Sequence, residues 1–455
     1  MNAFSLALAA LLVVAAAADS NVNSFLRTVI RSGDGGPADE TTKACFWTEM
    51  KEKIFERGTG TAFEQTYESL SVAKLVCAQE ASCRAISQVD DGFILSDQRA
   101  AEADTTALSW VHECESQQPE SALVAPSSIN GRADSDTDST SEFFHIKVLT
   151  MDRLQSLKRL MDSLKAAYYD GDTVHIDFFV DYPPGSDAKK VKAKLNARRL
   201  IIDHIENWEW PYGQKSIHVR VKNGGLIGQW LESWWPNNNH ETALVLEDDL
   251  SVSKFYYRWC KKAIAKYLWD PANFDPNVYG ISLQRQYLVP MKSSHNKVNV
   301  PGLCPYKYQL IGSWGQIFFP QAWRSFRQWF EDLPGDFHPL VDGLVTSDWY
   351  AHLWQTTKPW TMHIIRWAAE NQMQNIYTNF EGKSSLCANY REPGLHFHGK
   401  AQGADTKIIT SWDETKDGCL PDSKDMPMYD YSFTKVNGYK DLENRYSYNK
   451  KLSDY

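Results

Sequence analysis

The sequence predicts an α/β protein in which a mostly parallel sheet is flanked by helices and preceded by a small disulfide-bonded α+β module. Three observations support this fold class. Short apolar segments alternate with helical segments from residue 143 onwards, four of the eight cysteines lie in the first quarter of the chain, and a polar segment separates the two regions. Alternating strands and helices are typical of a parallel sheet that carries helices on both sides.

The composition excludes several classes of protein. The chain has 455 residues, of which 43% are apolar and 23% charged, and this is typical of a globular protein with more than one domain. The formal net charge is -9 at pH 7, so we expect no basic surface that would attract nucleic acid. Nucleic acid is therefore not an expected partner.

Residues 1–18 have the form of a signal peptide. An unbroken run of apolar and small residues ends at Ala18, and it is shorter than the roughly 20 residues that a membrane span needs. No later run is long enough either, so no stable membrane span is expected. These features predict a protein of the secretory pathway (Golgi or ER lumen) or a secreted one, with an uncleaved N-terminal anchor as the alternative.

Residues 41–115 are predicted to form the disulfide-bonded module. Cysteines in an exported chain favour disulfides, which compensate for the limited core of a small domain. Four cysteines allow three pairings, of which we favour Cys77 with Cys83 and Cys45 with Cys114. A helix is expected near residues 69–81 and strands near 85–88, 92–95 and 109–112. The cysteine-containing segments 75–77, 83–86 and 109–114 are similar to those of PAN/apple-type modules, and this implies binding of protein or carbohydrate.

Residues 116–142, rich in Ser, Asp, Pro and Gly, are predicted to be a linker. After it, the periodicity predicts strands at residues 143–149, 174–180, 216–221 and 243–246, separated by helices at 154–169, 187–200 and 224–235. The last of these strands is apolar throughout, as expected for a strand that is buried on both faces. Residues 401–455 are polar and Tyr-rich, and we expect an extended C-terminal segment there.

Three adjacent acids, Glu247, Asp248 and Asp249, follow the buried strand directly. Ligands of such sheets bind beyond the carboxyl ends of the strands, and neighbouring carboxylates repel one another unless a positive charge offsets them. A divalent cation that completes its coordination with phosphate oxygens suits this cluster. The alternative is that Asp249 and Ser251 cap a helix starting near Ser253.

The acidic cluster belongs to a set of three segments that resemble nucleotide-sugar glycosyltransferases of the GT-A fold. The segments are Val148-Leu149-Thr150-Met151-Asp152-Arg153, Val245 to Leu250, and Gly312-Ser313-Trp314-Gly315. The likeness is greatest to family 2-like enzymes and to the N-acetylglucosaminyltransferase I type, and it covers about residues 143–400.

The resemblance implies a role for each matching residue on the donor side. Asp249 would bind Mn2+ (or Mg2+), Asp248 would orient the ribose or sugar of the nucleoside-diphosphate sugar donor, and Glu247 would approach the nucleotide. Thr150 and Arg153, after the first strand, would lie near the nucleotide. The alternative for these two is an ordinary turn between a strand and a helix.

On the acceptor side, the resemblance implies that Gly312-Ser313-Trp314-Gly315 binds a glycan or glycoprotein acceptor. Two glycines allow close approach of the backbone, and the indole of Trp314 offers an apolar surface to a sugar. Asp348 precedes an aromatic helix and would act as the catalytic base in an inverting enzyme. The alternatives are that Trp314 belongs to the core and that Asp348 caps the helix.

In His396-Phe397-His398-Gly399, His398 is the candidate second metal ligand, with a structural role as the alternative. Together these features predict a metal-dependent glycosyltransferase, inverting if Asp348 is the base and otherwise retaining. Two other functions remain open. A nucleotidyltransferase would need a basic triphosphate loop after the first strand, which is absent there, and a carbohydrate-binding or adhesion protein would carry a transferase domain without activity.

Overall fold

The computed structural model describes residues 44–54, 73, 85–89, 92–96, 102–115, 143–291, 298–357, 359–392 and 402–455. The chain divides into two compact units, Met1–Thr140 and Ser141–Tyr455. The signal peptide expected at residues 1–18 and the linker expected at 116–142 lie outside the described residues. So does the helix expected at residues 69–81, apart from Ala73, which is helical and buried.

The first unit contains an antiparallel sheet with the strand order β1-β4-β2-β3. The strands are β1 (Ala44–Ile54), β2 (Ala85–Val89), β3 (Gly92–Ser96) and β4 (Glu102–Glu115). In the register of β1 and β4, Cys45 lies opposite Cys114, which is the backbone arrangement that the favoured pairing requires. Cys77 and Cys83 lie outside the described residues. Strand β1 is an addition to the elements expected from the sequence.

The second unit is built on a ten-stranded mixed sheet. Its strands are β5 (Phe144–Thr150), β6 (His175–Val180), β7 (Lys215–Val219), β8 (Thr242–Glu247), β10 (Val278–Ser282), β11 (Tyr306–Tyr308), β12 (Gln316–Phe318), β13 (Gln374–Tyr377), β15 (Met428–Tyr429) and β16 (Lys435–Val436). The order across the sheet is β16-β15-β11-β13-β10-β12-β8-β5-β6-β7. A separate pair is formed by β9 (Leu250–Val252) and β14 (Cys387–Asn389).

Helices flank this sheet. They are α1 (Leu154–Lys165), α2 (Ala188–Asn207), α3 (Gly225–Glu232), α4 (Tyr256–Ile264), α5 (Pro320–Glu331), α6 (Val345–Thr357), α7 (Thr361–Glu370) and the short α8 (Glu414–Asp417). A π-helical turn at Ala265–Trp269 continues α4. Helix α1 packs against α2 and β9, and α5 packs against β10 and α7. The predicted α/β class with a mostly parallel sheet is confirmed, and the half of the sheet beyond β8 is mixed.

Strands β5, β6, β7 and β8 are parallel to one another. Consequently their carboxyl ends lie along one edge of the sheet. Strand β8 is buried from Thr242 to Leu246, as its continuous apolar sequence predicts. Strand β12 runs antiparallel to β8, with Gln316 opposite Val245, so the residues that precede β12 reach the same edge. This edge carries the candidate site.

The region after the acidic cluster differs from one expectation. Residues 250–252 form strand β9, and the N-cap position of α4 is Phe255. The hypothesis that Asp249 and Ser251 cap a helix starting near Ser253 is therefore wrong. The physical reason is that β9 pairs with β14, a partner more than 130 positions further along the chain.

The C-terminal segment contributes strands to the sheet. Strand β15 pairs with β11 and β16 pairs with β15, and Tyr431 is fully buried in the core. A disulfide joins Cys304 to Cys419, while Cys260 and Cys387 are buried free thiols. Among the residues that the structure describes, no helix has both the length and the apolar character needed to cross a bilayer.

Candidate active site

The three acids lie where strand β8 ends. Glu247 is the last residue of β8, and Asp248 and Asp249 form the two-residue turn that leads into β9. The turn is held from both sides, because the Asp248 N–H donates to the Leu149 carbonyl at 3.1 Å and the Tyr390 N–H donates to the Asp249 carbonyl at 2.8 Å. The backbone therefore fixes all three carboxylates at the carboxyl edge of the sheet.

Thr150 and Arg153 converge on the same turn from the end of the neighbouring strand β5. The Thr150 hydroxyl donates to Oδ2 of Asp248 at 2.8 Å, and the Arg153 guanidinium bonds both Asp248 and Asp249, the latter at 3.0 Å. The structure thus brings three of the predicted donor-side residues, Thr150, Arg153 and Asp248, into one hydrogen-bonded set with Asp249. Residues 151–153 do connect β5 to α1, with Arg153 at the N-cap position of the helix, so the turn and these contacts are both present.

Burial changes the protonation of this set. Desolvation, joined by the charge of Asp249, raises the pKa of Glu247 to about 7. Desolvation also raises the pKa of Asp248 to about 6, although the charge of Arg153 opposes it. For Arg153 itself, burial would lower the pKa, but the charges of Asp248 and Asp249 raise it above the usual value. Three carboxyl groups lie near one arginine, so a bound cation would lower these raised pKa values and favour the ionised carboxylates.

Trp230 is a member of the site that the sequence did not indicate. This fully buried residue of α3 donates its indole N–H to Glu247 at 3.0 Å and stacks on Trp360, with ring centroids 4.5 Å apart. The bond orients one carboxylate oxygen of Glu247 and lowers its pKa against the larger effect of desolvation. Nothing in the local sequence distinguishes Trp230 from the other tryptophans.

The segment that follows β14 is also held against the acidic turn. The guanidinium of Arg159 lies 3.9 Å from the centroid of the Tyr390 ring and bonds Glu392 at 2.7 Å. Ser156 donates to the same carboxylate. Through these contacts helix α1 fastens residues 390–392 next to Asp249. These pairs are separated by more than 230 positions, so sequence patterns alone do not reveal them.

Residues 312–315 border the acidic turn on the side of β12. The Trp314 N–H donates to Oε1 of Gln284 at 2.9 Å, and the Gly315 carbonyl accepts from Leu283 at 2.9 Å. Gly315 has φ of +79°, a conformation that favours glycine. Ser313 and Trp314 are partly exposed, so Trp314 is not a core residue. The segment therefore offers an indole to a ligand at the edge that also carries the acids.

Asp348 lies on a different element. It is in the first turn of α6, and this helix begins where Leu344 pairs with Met291 and where the Val345 N–H donates to the Pro290 carbonyl. Asp348 is partly exposed, and its charge helps to raise the pKa of Tyr455, for which burial is the largest cause. The structure thus groups Asp348 with the segment that follows β10 and with the C-terminal residue.

Asp249 has a carboxylate oxygen that is available to a metal ion. Oδ1 of Asp249 is buried and has no hydrogen-bond partner, while Oδ2 is paired with Arg153. Among the described residues no group of three His, Cys, Asp or Glu side chains is arranged to hold a metal ion, and His398 lies outside them. One carboxylate fits the usual mode for Mg2+ and similar ions, in which phosphate oxygens and water complete the shell.

Comparisons with known proteins give one family match. A family model described as SPBC1E8.03c C-terminal domain matches residues 155–331, which is less than half of the chain. No curated protein matches the chain.

Several solved structures are similar to parts of the chain. The mannosyltransferase PcManGT from Pyrobaculum calidifontis, in complex with GDP-Man and Mn2+, is 11% identical over 43% of this chain and 49% of its own, with a TM-score of 0.25. S. aureus TarS is 15% identical over 42% of this chain and 51% of its own, with a TM-score of 0.25. GalNAc-T7 with UDP, GalNAc and Mn2+ is 12% identical over 51% of this chain and 42% of its own, with a TM-score of 0.29. The chain thus matches only about half of the length of these proteins.

Proposed function

We propose that this protein is a metal-dependent glycosyltransferase of the GT-A type, which moves a sugar from a nucleoside-diphosphate sugar to a hydroxyl of a glycan or glycoprotein acceptor. One observation carries the proposal. Glu247, Asp248 and Asp249 lie together at the carboxyl edge of a mostly parallel sheet. Thr150 and Arg153 bond Asp248, Arg153 also bonds Asp249, and Oδ1 of Asp249 is buried and unpartnered. A cation with a diphosphate would complete such an arrangement.

In the proposed donor site, Asp248, Glu247 and Arg153 would bind and orient the nucleoside-diphosphate sugar. The bond from Thr150 holds the Asp248 carboxylate in one orientation, which suits a carboxylate that accepts hydrogen bonds from the ribose or sugar hydroxyls. Glu247, oriented by Trp230, would approach the nucleotide. Arg153, at the N-cap position of α1, carries a positive charge that would attract the diphosphate.

Asp249 would hold Mn2+ (or Mg2+), with His398 as the proposed second protein ligand. The cation, when bound, would neutralise negative charge that develops on the departing nucleoside diphosphate. The same binding would relieve repulsion among the three carboxylates.

Asp348 is the proposed base. The acceptor hydroxyl oxygen would form a bond to the anomeric carbon while the bond from that carbon to the diphosphate oxygen breaks, and the hydroxyl proton would pass to the Asp348 carboxylate. Direct displacement inverts the anomeric configuration. The partly exposed Trp314 would support the acceptor sugar through its ring. A product of retained configuration would remove Asp348 from this role.

The remaining parts of the chain fit an exported enzyme in this proposal. Residues 1–18 would direct it to the secretory pathway or out of the cell, and residues 41–115 would act as a PAN/apple-type module that binds protein or carbohydrate. The disulfide between Cys304 and Cys419 is compatible with an oxidising compartment.

The test is hydrolysis of the donor in the absence of an acceptor. The secreted protein is incubated with Mn2+ and a panel of nucleoside-diphosphate sugars that includes GDP-mannose and UDP-N-acetylglucosamine, and the nucleoside diphosphate released is measured. We expect slow release from one donor, stopped by EDTA and reduced at least a hundredfold in Asp249→Asn.

The matched control is Asp336→Asn, which changes an exposed aspartate in the loop after α5 and should retain the wild-type rate. If no donor is hydrolysed at any cation concentration while the folded protein still binds glycans, the protein is a carbohydrate-binding protein and the proposal is wrong.

A further inference from the structure

Arg285 is a buried cation without a partner among the described residues. Its side chain follows the end of β10, and the residue is only 8% exposed. Nε of Arg285 is buried and makes no hydrogen bond, and its guanidinium lies 5.8 Å from the centroid of the Tyr287 ring. Burial raises the pKa of Tyr306, and the charge of Arg285 opposes this effect. A buried charge that is neither paired nor hydrogen-bonded is costly, so a ligand that supplies the missing acceptor is expected.

The other buried arginines of the second unit are held differently. Arg198 donates to the carbonyl of Arg220 at 2.6 Å, and Arg327 donates to the carbonyl of Leu231 and to Glu331. Arg327 shares with Arg285 a buried Nε that has no hydrogen-bond partner, but other guanidinium nitrogens of Arg198 and Arg327 are bonded to the protein. Arg285 has no comparable explanation.

No acid close in the sequence is available to pair with Arg285. Between Asp275 and Glu331 the sequence contains no Asp or Glu. The undescribed segments 292–297, 358 and 393–401 contain none either, and Glu142 is the one acid among the undescribed residues of the second unit. In a chain with 57 acidic residues, such a stretch around one buried arginine favours an anionic ligand from outside the chain.

The position of Arg285 points to the acceptor side of the site. Its neighbour Gln284 accepts the hydrogen bond of Trp314, and β10 is separated from the acid-bearing β8 by β12. Two strand spacings are about 10 Å, so Arg285 lies beyond the acceptor segment when viewed from the acids. The ring of Tyr287, which is 45% exposed, offers an apolar surface beside the charge.

From this geometry we propose that Arg285 binds an anionic group, a carboxylate or a phosphate, carried by the acceptor sugar. The guanidinium provides paired donors that match both groups, and Tyr287 would contact the sugar ring. The assignment to an acceptor rests on the proposed glycosyltransferase function, whereas the anion site itself rests on Arg285.

The experiment measures binding of simple sugars by saturation-transfer NMR. The charged probes are 4-nitrophenyl β-D-glucuronide and mannose 6-phosphate, and their neutral counterparts are 4-nitrophenyl β-D-glucoside and mannose. We expect at least one charged probe to bind tenfold or more tightly than its counterpart, the pair identifying whether carboxylate or phosphate is preferred. Arg285→Gln should abolish the preference and Arg285→Lys should restore part of it.

Arg258→Gln is the control, because Arg258 lies exposed in a surface ion pair with Asp170 and its loss should leave binding unchanged. Arg285→Gln should unfold at the wild-type temperature or above, since it removes an uncompensated charge. Equal binding of charged and neutral probes by the wild type would overturn the proposal. So would a preference that survives in Arg285→Gln, or loss of nucleoside diphosphate binding in that variant, which would assign Arg285 to the donor.

The two proposals fail separately. If the wild type binds no nucleoside diphosphate but keeps the preference for a charged sugar, the glycosyltransferase proposal fails and the anion site of Arg285 stands. If nucleotides bind but the protein does not prefer charged sugars to neutral ones, the anion site of Arg285 fails and the glycosyltransferase proposal stands.

Discussion

As the pH rises, Glu247 and Asp248 lose their protons at a higher pH than exposed carboxyl groups do. Their pKa values are raised to about 7 and about 6 from ordinary values of 4.5 and 3.8, with desolvation as the largest cause. The folded chain therefore binds these protons more tightly than the unfolded chain. Their stabilisation is fully present below about pH 4 and is lost as the pH rises through 6 and 7.

Replacement of Glu247 by Gln should flatten this dependence, because the amide resembles the protonated acid at every pH. Relative to the wild type, Glu247→Gln should gain on the order of 2 kcal/mol of unfolding free energy between about pH 5 and pH 8. Urea unfolding of the metal-free proteins at several pH values measures this difference. The exposed Glu209→Gln should show none, and an unchanged slope in Glu247→Gln would contradict the pKa assignment.

The individual site residues that are predictable from the sequence are those that lie next to one another along the chain. The acidic run after an apolar strand is a local pattern, and Thr150 and Arg153 follow the neighbouring strand. Trp230 and Arg285 were not separable from other tryptophans and arginines, because their roles depend on what surrounds them. His398 and the N-terminal cysteines Cys77 and Cys83 stay predictions, since they lie outside the described residues.

Residues 312–315, the segment before β12, pack closely against Ser282 and Tyr377. A Cβ atom on Gly312 would lie 2.4 Å from Oγ of Ser282 and 2.8 Å from the hydroxyl of Tyr377, both of which are buried. The Ser282 hydroxyl also donates to the Gly312 carbonyl at 2.9 Å. Any larger residue must therefore displace the backbone that carries Trp314.

We expect Gly312→Ala to lower the free energy of unfolding by about 1–3 kcal/mol and to weaken sugar binding more than nucleotide binding. Urea unfolding measures the first effect and ligand titration the second. Gly403→Ala is the matched control, since a Cβ atom there meets nothing within 4 Å. Equal stability of the two variants would show that the segment moves freely to accept a side chain.

The strands of the parallel half were predicted to within a few residues, because apolar periodicity is a local property. Strand β9 was missed, since it has only three residues and depends on pairing with β14. The helix expected at 154–169 ends at Lys165, and that expected at 187–200 continues to Asn207. Helix ends depend on capping and tertiary contacts that periodicity does not record.

Across the whole second unit, residues 402–455 complete the sheet at the edge opposite β7. Strands β15 and β16 have two residues each, too few for any periodicity to appear in the sequence. Their position follows from tertiary contacts instead. The disulfide between Cys304 and Cys419 and the buried ring of Tyr431 hold this segment to the rest of the unit.

Removal of this disulfide should destabilise the protein, because it closes a loop with a sequence separation of 115 residues. We expect the double variant Cys304→Ala/Cys419→Ala to lose about 3 kcal/mol of unfolding free energy, measured by urea unfolding without reductant. Cys260→Ala, which removes a buried free thiol, is the comparison and should lose less. Wild-type stability in the double variant would mean that the other contacts of the C-terminal segment suffice.

In the proposed function, the acidic turn binds a nucleoside diphosphate together with a divalent cation. Thermal unfolding of the protein with a panel of nucleoside diphosphates, with Mn2+ and then with EDTA, tests it most directly. A ligand at 100 times its dissociation constant adds about 2.7 kcal/mol of stability.

We predict stabilisation by one nucleotide that requires Mn2+ and disappears in Asp249→Ala but persists in Asp336→Ala. The opposite result would be no stabilisation of the folded protein by any nucleotide, or stabilisation that is as large in EDTA as in Mn2+, or as large in Asp249→Ala as in the wild type.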